Sequence, residues 1–500
     1  MSARSSRNAV PGPHGAAAAA ALASLARDPL GGYVRLTARY GDTVRLPFSP
    51  RHGFYLLSRP EHVEHVLAVN QDNYVKAFTY RPLRALIGDG LLTSEGERWR
   101  RHRRLVQPVF SRRHVTTFGP AMTGSARRLV ARWDTLADGT VINVSAQVGG
   151  LALDIVGRAL FGSDLSGDAE QIGRAMDAGQ RVAVLATFLP LRWGPASTRA
   201  VRALARRAGR TPEGVEGPAG RIIAGRRSAG PRGRAADPGP FGPGGATGPF
   251  GPAADAGPCE PAADAGPGGR AAGPRDGDAD LLDVLLGGGP RDGSPLTDGE
   301  VADEVATFML AGHETSANAL CWSLALLSAY PSARQRLEAE LDTVLGDRDP
   351  DAADADKLAW TRAVVAETMR LYPPAWTIER DAVADDELPG VRIPAGSLVA
   401  TPPYLVHRHP DFWADPAGFD PGRFLPEGEG PRHRYAYIPF GGGRRACVGA
   451  SFAELETVLV LATIARRYRL ELTVRGIPAP AANITLRPGR RLPMRLVRRA

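Results

Sequence analysis

The stretch 440–449 has the residue types of a metal site, because it places one cysteine in a glycine-rich loop. It reads Phe-Gly-Gly-Gly-Arg-Arg-Ala-Cys-Val-Gly, with Cys447 as the cysteine, and an apolar stripe with helical spacing then runs from Gly449 to Arg467. A helix N-terminus and the guanidinium groups of Arg444 and Arg445 favour the thiolate, which is the form that binds metals. The glycines would also leave flat space for a planar ligand. A buried, unreactive cysteine in a tight turn is the alternative interpretation.

A second chemical group lies in the stretch 311–316, Ala-Gly-His-Glu-Thr-Ser, inside an apolar run from Val305 to Leu327. A capping box at Thr297 to Glu300 predicts the start of this helix, and the pattern ends near Tyr330. Burying an acid and a hydroxyl costs free energy, so these groups must be hydrogen-bonded or have a function. A bond from the Thr315 hydroxyl to the Ala311 carbonyl would open a groove for a small ligand. A helix kink with satisfied polar groups is the alternative, whereas the zinc-protease pattern H-E-x-x-H fails at its fifth position.

Together these residues resemble a known family. The spacing of Phe440, Gly443, Arg445, Cys447 and Gly449 matches F-x-x-G-x-R-x-C-x-G, the haem-binding signature of the cytochrome P-450 family. The resemblance implies that Cys447 is the axial ligand of the iron of haem b, with Phe440 and Arg445 also at the cofactor. The second stretch is similar to the family's oxygen-activation motif, which makes Glu314 and Thr315 the catalytic pair that delivers protons.

The helix predicted from Glu97 to Val106 carries Trp99 and Arg103 four residues apart, so both project from one face. An indole N–H beside a guanidinium could hold a carboxylate, and haem has two propionates. The pair resembles the family's propionate-binding helix, and Arg380 matches the position of another propionate-binding arginine. An arginine-rich surface helix with Trp99 as its core anchor is the alternative.

Helix 361–371 contains Glu367 and Arg370 three residues apart, where the two side chains can pair. The spacing resembles the family's E-x-x-R helix. Its partner motif is present as Pro421 to Phe424, with Gly422 in place of the usual glutamate. The resemblance implies a structural ion network of Glu367, Arg370 and Arg423 that supports the cysteine loop.

The resemblance extends from about residue 32 to residue 498 and implies the mainly α cytochrome P-450 fold, with a small β-rich region near the N-terminus. We expect a flexible leader and short helix over 1–30, then one haem domain formed by 31–229 and 279–500. Residues 230–278 are dominated by Gly, Pro, Ala, Asp and Arg, with only two large apolar residues, and predict a disordered insert.

Composition excludes several classes of protein. The three cysteines are far apart and odd in number, so no disulfide framework is predicted and a reducing, cytoplasmic setting fits. The net charge of +9 comes almost wholly from arginine spread along the chain, which does not indicate nucleic-acid binding. The apolar run 16–26 is shorter than the roughly 20 residues that span a membrane. No membrane anchor is therefore expected, as in the soluble bacterial members of the family.

By resemblance the chain is a haem-thiolate monooxygenase that inserts one atom of O2 into a lipophilic small molecule. Few residues follow the cysteine loop, so we expect electrons from a separate ferredoxin and ferredoxin reductase or a similar donor. The candidate docking surface consists of exposed arginines, namely Arg100, Arg101, Arg104, Arg112, Arg113 and Arg444. The candidate substrate pocket is apolar and consists of Leu83, Leu86, Phe188, Ala311, Trp376 and Ile484. A peroxide-driven enzyme and a non-enzymatic haem sensor are the alternatives.

Overall fold

The computed structural model describes residues 10–47, 53–165, 167, 172–173, 213–229, 279–287, 295–428, 430, 432–489 and 491–499. The predicted insert 230–278 and the pocket residue Phe188 lie outside these ranges.

Helices make up most of the described chain, as the resemblance predicts. They are α1 (Gly15–Arg27), α2 (Pro29–Tyr40), α3 (Pro60–Glu64), α4 (Arg81–Ile87), α5 (Gly96–Val106), α6 (Arg112–Val115), α7 (Gly119–Asp134), α8 (Val144–Phe161), α9 (Glu213–Ala229), α10 (Leu281–Gly287), α11 (Asp298–Ala329), α12 (Pro331–Leu345), α13 (Ala359–Leu371), α14 (Pro403–Val406) and α15 (Ala450–Arg467). A π-helical turn, His65–Val69, continues α3.

The strands are short. They are β1 (Thr43–Pro47), β2 (Gly53–Leu57), β3 (Tyr74–Lys76), β4 (Val141–Asn143), β5 (Glu379–Ala382), β6 (Asp386–Leu388), β7 (Val391–Ile393), β8 (Leu398–Ala400), β9 (Tyr468–Leu472), β10 (Ala481–Ala482), β11 (Leu486–Arg487) and β12 (Pro493–Arg498). The largest sheet has the order β1-β2-β8-β5-β3. Its first pair, β1 and β2, is antiparallel, with Thr43 opposite Leu57. Two of the five strands of this sheet, β5 and β8, therefore come from the second half of the chain.

The central helix α11 positions the acid and the hydroxyl. The predicted capping box is present, since the Thr297 side chain accepts from the Glu300 N–H and the Glu300 side chain accepts from the Thr297 N–H. The helix packs along α8, and Gly312 is the point of closest approach. A Cβ atom on Gly312 would lie 2.7 Å from a methyl carbon of Val156. A larger residue there would push the two central helices apart.

The described part of the leader is packed against the sheet. The Pro11 carbonyl accepts from the Arg45 N–H at 2.8 Å, which adds the leader to the free edge of β1. Helix α1 forms where the alanine-rich run predicts it and buries Ala18 and Leu25.

The two described segments that flank the insert meet at one side chain. Arg226 of α9 donates to Asp280 at 2.5 Å, to Asp283, and to the Phe161 carbonyl at 2.9 Å. The guanidinium and the Asp280 carboxylate are both buried. One buried ion pair therefore joins α9 to the residue that precedes α10.

One helix in the described ranges, Val144–Phe161, has the length and hydropathy of a membrane span, and 67% of it is buried inside the fold. Its apolar surface is covered by α7 and α11, with which it packs.

Candidate active site

The cysteine loop is held by backbone contacts on the side away from α11. The Cys447 N–H donates to the Phe440 carbonyl at 2.8 Å, and the Arg444 N–H donates to the Gln71 side chain at 2.8 Å. Gly443 has a φ of +66°, and a Cβ atom there would overlap the Leu67 carbonyl oxygen. The prediction that these glycines leave flat space for a planar ligand is therefore wrong for Gly443. Its missing side chain lets the loop pack against the π-helical turn.

The electrostatics of Cys447 also differ from the prediction. Burial raises the pKa of the Cys447 thiol, and the Gly449 N–H and Arg103 oppose that rise. Arg444 and Arg445 do not, because Arg444 forms an ion pair with Asp72 and Arg445 with Glu95. The Cys447 side chain is nevertheless accessible to a solvent-sized probe although protein surrounds it. It therefore lies on the wall of an enclosed cavity. Coordination to a metal cation would hold it as the thiolate.

Cations converge on the edge of this cavity. Lys76 and Arg380 are opposite each other across the β3–β5 pair, and both lie within electrostatic range of Arg445. Arg445 stacks over the Trp99 ring at 4.5 Å. The acid within this group, Glu95, accepts from Arg445 and from the Lys76 N–H. Burial and the two arginines lower the pKa of Lys76 to about 7.

Arg103 lies between this cation cluster and the cysteine. Its Nη1 donates to the Ala446 carbonyl at 2.8 Å, and its Nε donates to Gln107 at 3.2 Å. The structure therefore brings Trp99, Arg103, Arg380 and Arg445 to one region, in which Glu95 is the carboxylate that Arg445 binds. A ligand with two carboxylates fits this donor set.

The middle of α11 is also partly accessible. Ala311 to His313 and Thr315 are half-exposed, although the rest of the helix around them is buried. The Thr315 hydroxyl donates to the Ala311 carbonyl at 2.7 Å, which is the bond expected from the sequence. The Glu314 side chain does not share this accessible face. It is 4% exposed and accepts hydrogen bonds from Arg487 at 2.6 Å and from Thr485.

The ion network behind the cysteine loop is fully buried. Arg370 donates to both carboxylate oxygens of Glu367, at 2.6 and 2.7 Å, and Arg423 lies 3.4 Å from the same carboxylate. Arg370 also donates to the carbonyls of His407, Pro416 and Gly418. Burial raises the pKa of Glu367, and Arg370 opposes the rise. His407 in turn accepts from the Ile438 N–H at 2.8 Å, which connects the network to the segment before Phe440.

The predicted pocket residues do not all meet. Ala311 is on the cavity wall, and Leu83, Leu86 and Ile484 belong to or pack against the main helical core. Trp376 is buried in a second core beside the sheet, where its ring lies 5.8 Å from that of Tyr33. The structure therefore places Trp376 behind the cavity wall.

Three residues of the site carry no motif and were missed from the sequence. Lys76 is one of only two lysines in an arginine-rich chain, and that rarity was its available signal. Thr485 and Arg487 follow Ile484 on the β10–β11 hairpin, 171 and 173 residues after Glu314. Nothing local in the sequence indicates that pairing.

An exposed cysteine in a glycine-rich loop, a cation cluster for carboxylates and an accessible hydroxyl on the central helix fit a haem-thiolate site. The cytochrome P-450 family profile matches residues 12–202 and 269–491. The chain therefore belongs to the cytochrome P-450 family, and it is a cytochrome P-450 monooxygenase.

Bacterial relatives support this assignment. A Mycobacterium bovis protein that carries the name cytochrome P-450 132 is 35% identical, with 90% of this chain and 89% of the relative covered. Cyclooctatin synthase of Streptomyces melanosporofaciens is 33% identical, with 95% and 92% covered. Pentalenene oxygenase of Streptomyces avermitilis is 30% identical, with 92% and 91% covered.

A solved structure shows the same fold. The crystal structure of the cytochrome P-450DA haem domain superposes with a TM-score of 0.78 at 24% identity, covering 98% of this chain and 97% of that chain.

Proposed function

We propose that the protein hydroxylates or epoxidises a lipophilic small molecule with one atom of O2, using haem b and electrons from a separate protein. The observation that carries the proposal is an accessible Cys447 in the signature loop together with an accessible Thr315 on an otherwise buried helix. Haem, when bound, supplies the activation of O2, with a thiolate ligand favouring O–O cleavage. Cys447 would be that ligand, and Trp99, Arg103, Arg380 and Arg445 would hold the propionates.

The role of this chain's distal residues is to hold water out and to move protons. Ala311 and Gly312 beside Thr315 are apolar, which favours the exclusion of solvent from the reaction. The Thr315 hydroxyl donates its hydrogen bond to the Ala311 carbonyl at 2.7 Å, which leaves its lone pairs as acceptors. A hydroxyl in that position can accept a proton on one side and release its own on the other, with Glu314 as the nearby acid.

The substrate class is supported by the pocket and by the relatives. Leu83, Leu86 and Ile484 are apolar, and the names pentalenene oxygenase and cyclooctat-9-en-7-ol 5-monooxygenase belong to relatives at 30% and 31% identity. We propose an unsaturated hydrocarbon skeleton as the substrate, and a cytoplasmic location.

Thr315→Ala is expected to keep haem and substrate binding and to divert electrons into peroxide or water. Loss of a positioned proton donor should lower product formed per electron consumed by about tenfold or more. The measurement is product against NADPH oxidised in a reconstituted assay. Thr343→Ala is the matched control, because Thr343 makes the same hydroxyl-to-carbonyl bond at 2.8 Å on the exposed side of α12. An unchanged ratio in Thr315→Ala would contradict the role of Thr315.

The electron donor is proposed to be an acidic ferredoxin that docks beside the cysteine loop. Arg104, Arg112 and Arg113 are exposed there, with Arg104 only weakly paired to an exposed Glu97 at 3.3 Å. Arg101 does not belong to this surface. It binds Glu300 and the Pro295 carbonyl at the start of α11, so the structure removes it from the predicted docking set.

Arg104→Glu with Arg113→Glu is expected to slow haem reduction by an acidic ferredoxin about tenfold at low salt. Added salt should slow the wild type as well, because a Debye length of about 8 Å at physiological ionic strength screens exposed charges. Stopped-flow reduction rates give the test, with Arg35→Glu on α2 as the control. Rates that respond to neither salt nor charge reversal would place the docking surface elsewhere.

A further inference from the structure

Helix α5, which contributes Trp99 and Arg103 to the donor set described above, is joined to α11 by a buried histidine–carboxylate pair. His102 precedes Arg103 on α5, and the side chains of His102 and Glu304 are both completely buried. The Nδ1 atom of His102 lies 2.5 Å from Oε1 of Glu304. A nitrogen and an oxygen this close have a proton between them, and such charge-assisted bonds are about twice as strong as neutral ones.

Further contacts link the same face of α5 to the first two turns of α11. The Nε2 atom of His102 lies 3.6 Å from Oε1 of Glu300, and Nη1 of Arg101 lies 3.4 Å from the same oxygen. One turn before Arg101, Nη2 of Arg98 lies 3.4 Å from the Asp303 carboxylate. The start of α11 therefore sets the rotation of α5 about its own axis.

Glu304 is also close to the segment that binds Lys76. Burial raises the pKa of Glu304, and His102 and the Leu91 N–H oppose that rise. The Leu91 carbonyl in turn accepts from Lys76 Nζ at 2.9 Å. One buried acid thus interacts with α5 and with the turn that holds Lys76, and both of these segments border the cation cluster.

Stability alone does not explain this pair. Replacing a buried ion pair by apolar residues of similar volume is often neutral or stabilising, so apolar side chains could join the two helices equally well. A hydrogen-bonded pair differs from an apolar contact in that it is directional, and satisfied buried polar groups make a structure rigid. The pair is therefore better suited to fixing the orientation of α5 than to strengthening its packing.

We propose that His102 is a positioning residue, which through its bond to Glu304 orients α5 so that Trp99 and Arg103 meet the carboxylates of the cofactor. The inference rests on the proposed function, because it takes haem b as the ligand of this donor set. His102 acts on the site through its neighbour Arg103, since its own two ring nitrogens face Glu304 and Glu300.

Glu304→Gln and His102→Asn test the proposal in the holoenzyme. Each variant keeps an amide where the native residue has its hydrogen-bonding atom, and each removes the charge. We expect both to accelerate the transfer of haem to apomyoglobin about tenfold, as for the loss of one charged hydrogen bond. The resonance Raman bending modes of the haem propionates should shift, because these modes report the donors to the carboxylates. Unchanged propionate modes in both variants would overturn the proposal.

A double-mutant cycle with Arg103→Leu tests the route through Arg103. If His102 acts through Arg103, then Glu304→Gln should add little to the haem-transfer rate of Arg103→Leu. Effects that multiply in the double variant would show a general structural role and would overturn the proposal.

His409→Leu is the matched control. His409 is 5% exposed and lies 3.1 Å from Asp42, and neither residue belongs to α5 or α11. This variant should keep the propionate modes and the haem-transfer rate of the wild type. Equal shifts in His409→Leu and His102→Asn would contradict a specific role of His102.

The wild-type protein separates this inference from the proposed function. If the wild type binds haem with the thiolate band and the variants leave the propionate modes unchanged, only this inference fails. A wild type without that band overturns both.

Discussion

Cys447→Ser is expected to abolish the strongly red-shifted Soret band of the reduced carbon monoxide complex. A serine hydroxyl is a far weaker ligand than a thiolate, because its proton is lost only at much higher pH. The Cys447 N–H bond to the Phe440 carbonyl and the packing of Gly443 do not depend on the sulfur, so the loop should keep its shape. The variant is therefore expected to fold and to lose the spectrum together with turnover.

Cys321→Ser is the matched control for that experiment. Cys321 is buried on α11, and burial raises the pKa of its thiol to about 12, so it remains a thiol at any working pH. The Cys321 variant should keep the full red-shifted band. A wild-type spectrum like that of a histidine-bound haem, or a band that survives in Cys447→Ser, would contradict the ligand assignment.

The elements that the sequence predicts well are those set by local chemistry. The capping box at Thr297 and the bond from Thr315 to the Ala311 carbonyl involve residues three or four apart, so spacing alone determines them. The helix after Cys447 likewise follows from the helical spacing of its apolar residues.

The contacts that could not be predicted join distant segments. Arg487 and Glu314 are separated by 173 residues, and Lys76 meets Arg445 only because β3 is brought beside β5. The glycines of the cysteine loop show the same limit. Their number indicates close packing, but the sequence does not say whether the neighbour is a ligand or, as at Gly443, the Leu67 carbonyl.

The prediction that Arg444 and Arg445 favour the Cys447 thiolate was wrong for a related reason. Arg444 and Arg445 are adjacent to Cys447 in sequence, yet acids from other segments, Asp72 and Glu95, take up their charge. The guanidinium that does act on the thiol belongs to Arg103, on a helix more than three hundred residues earlier. Proximity in sequence is a poor guide to electrostatics once a fold brings counter-charges together.

Arg370→Met is expected to remove most of the folded haem protein. The substitution removes the main ion-pair partner of the Glu367 carboxylate, of which no part is exposed. It also removes the donor to the carbonyls of His407, Pro416 and Gly418. Breaking a buried ion pair by removing one partner costs about 3–5 kcal/mol, and native proteins are stable by only about 5–15 kcal/mol. Arg423 lies at 3.4 Å from Glu367 and compensates for part of the loss. The yield of protein with the thiolate band and the denaturant midpoint are the measurements.

Arg392→Met provides a control in which both partners are exposed. Arg392 donates to Asp385 at 2.9 Å, and the two side chains are 71% and 54% exposed. Solvent screens that pair, so Arg392→Met should leave the midpoint nearly unchanged. Equal effects of the two substitutions would show that burial does not govern the cost, and that Arg370 does not support the cysteine loop in the way its contacts imply. A loss confined to Arg370→Met, with haem content falling together with stability, would tie the ion network to the segment that carries Cys447.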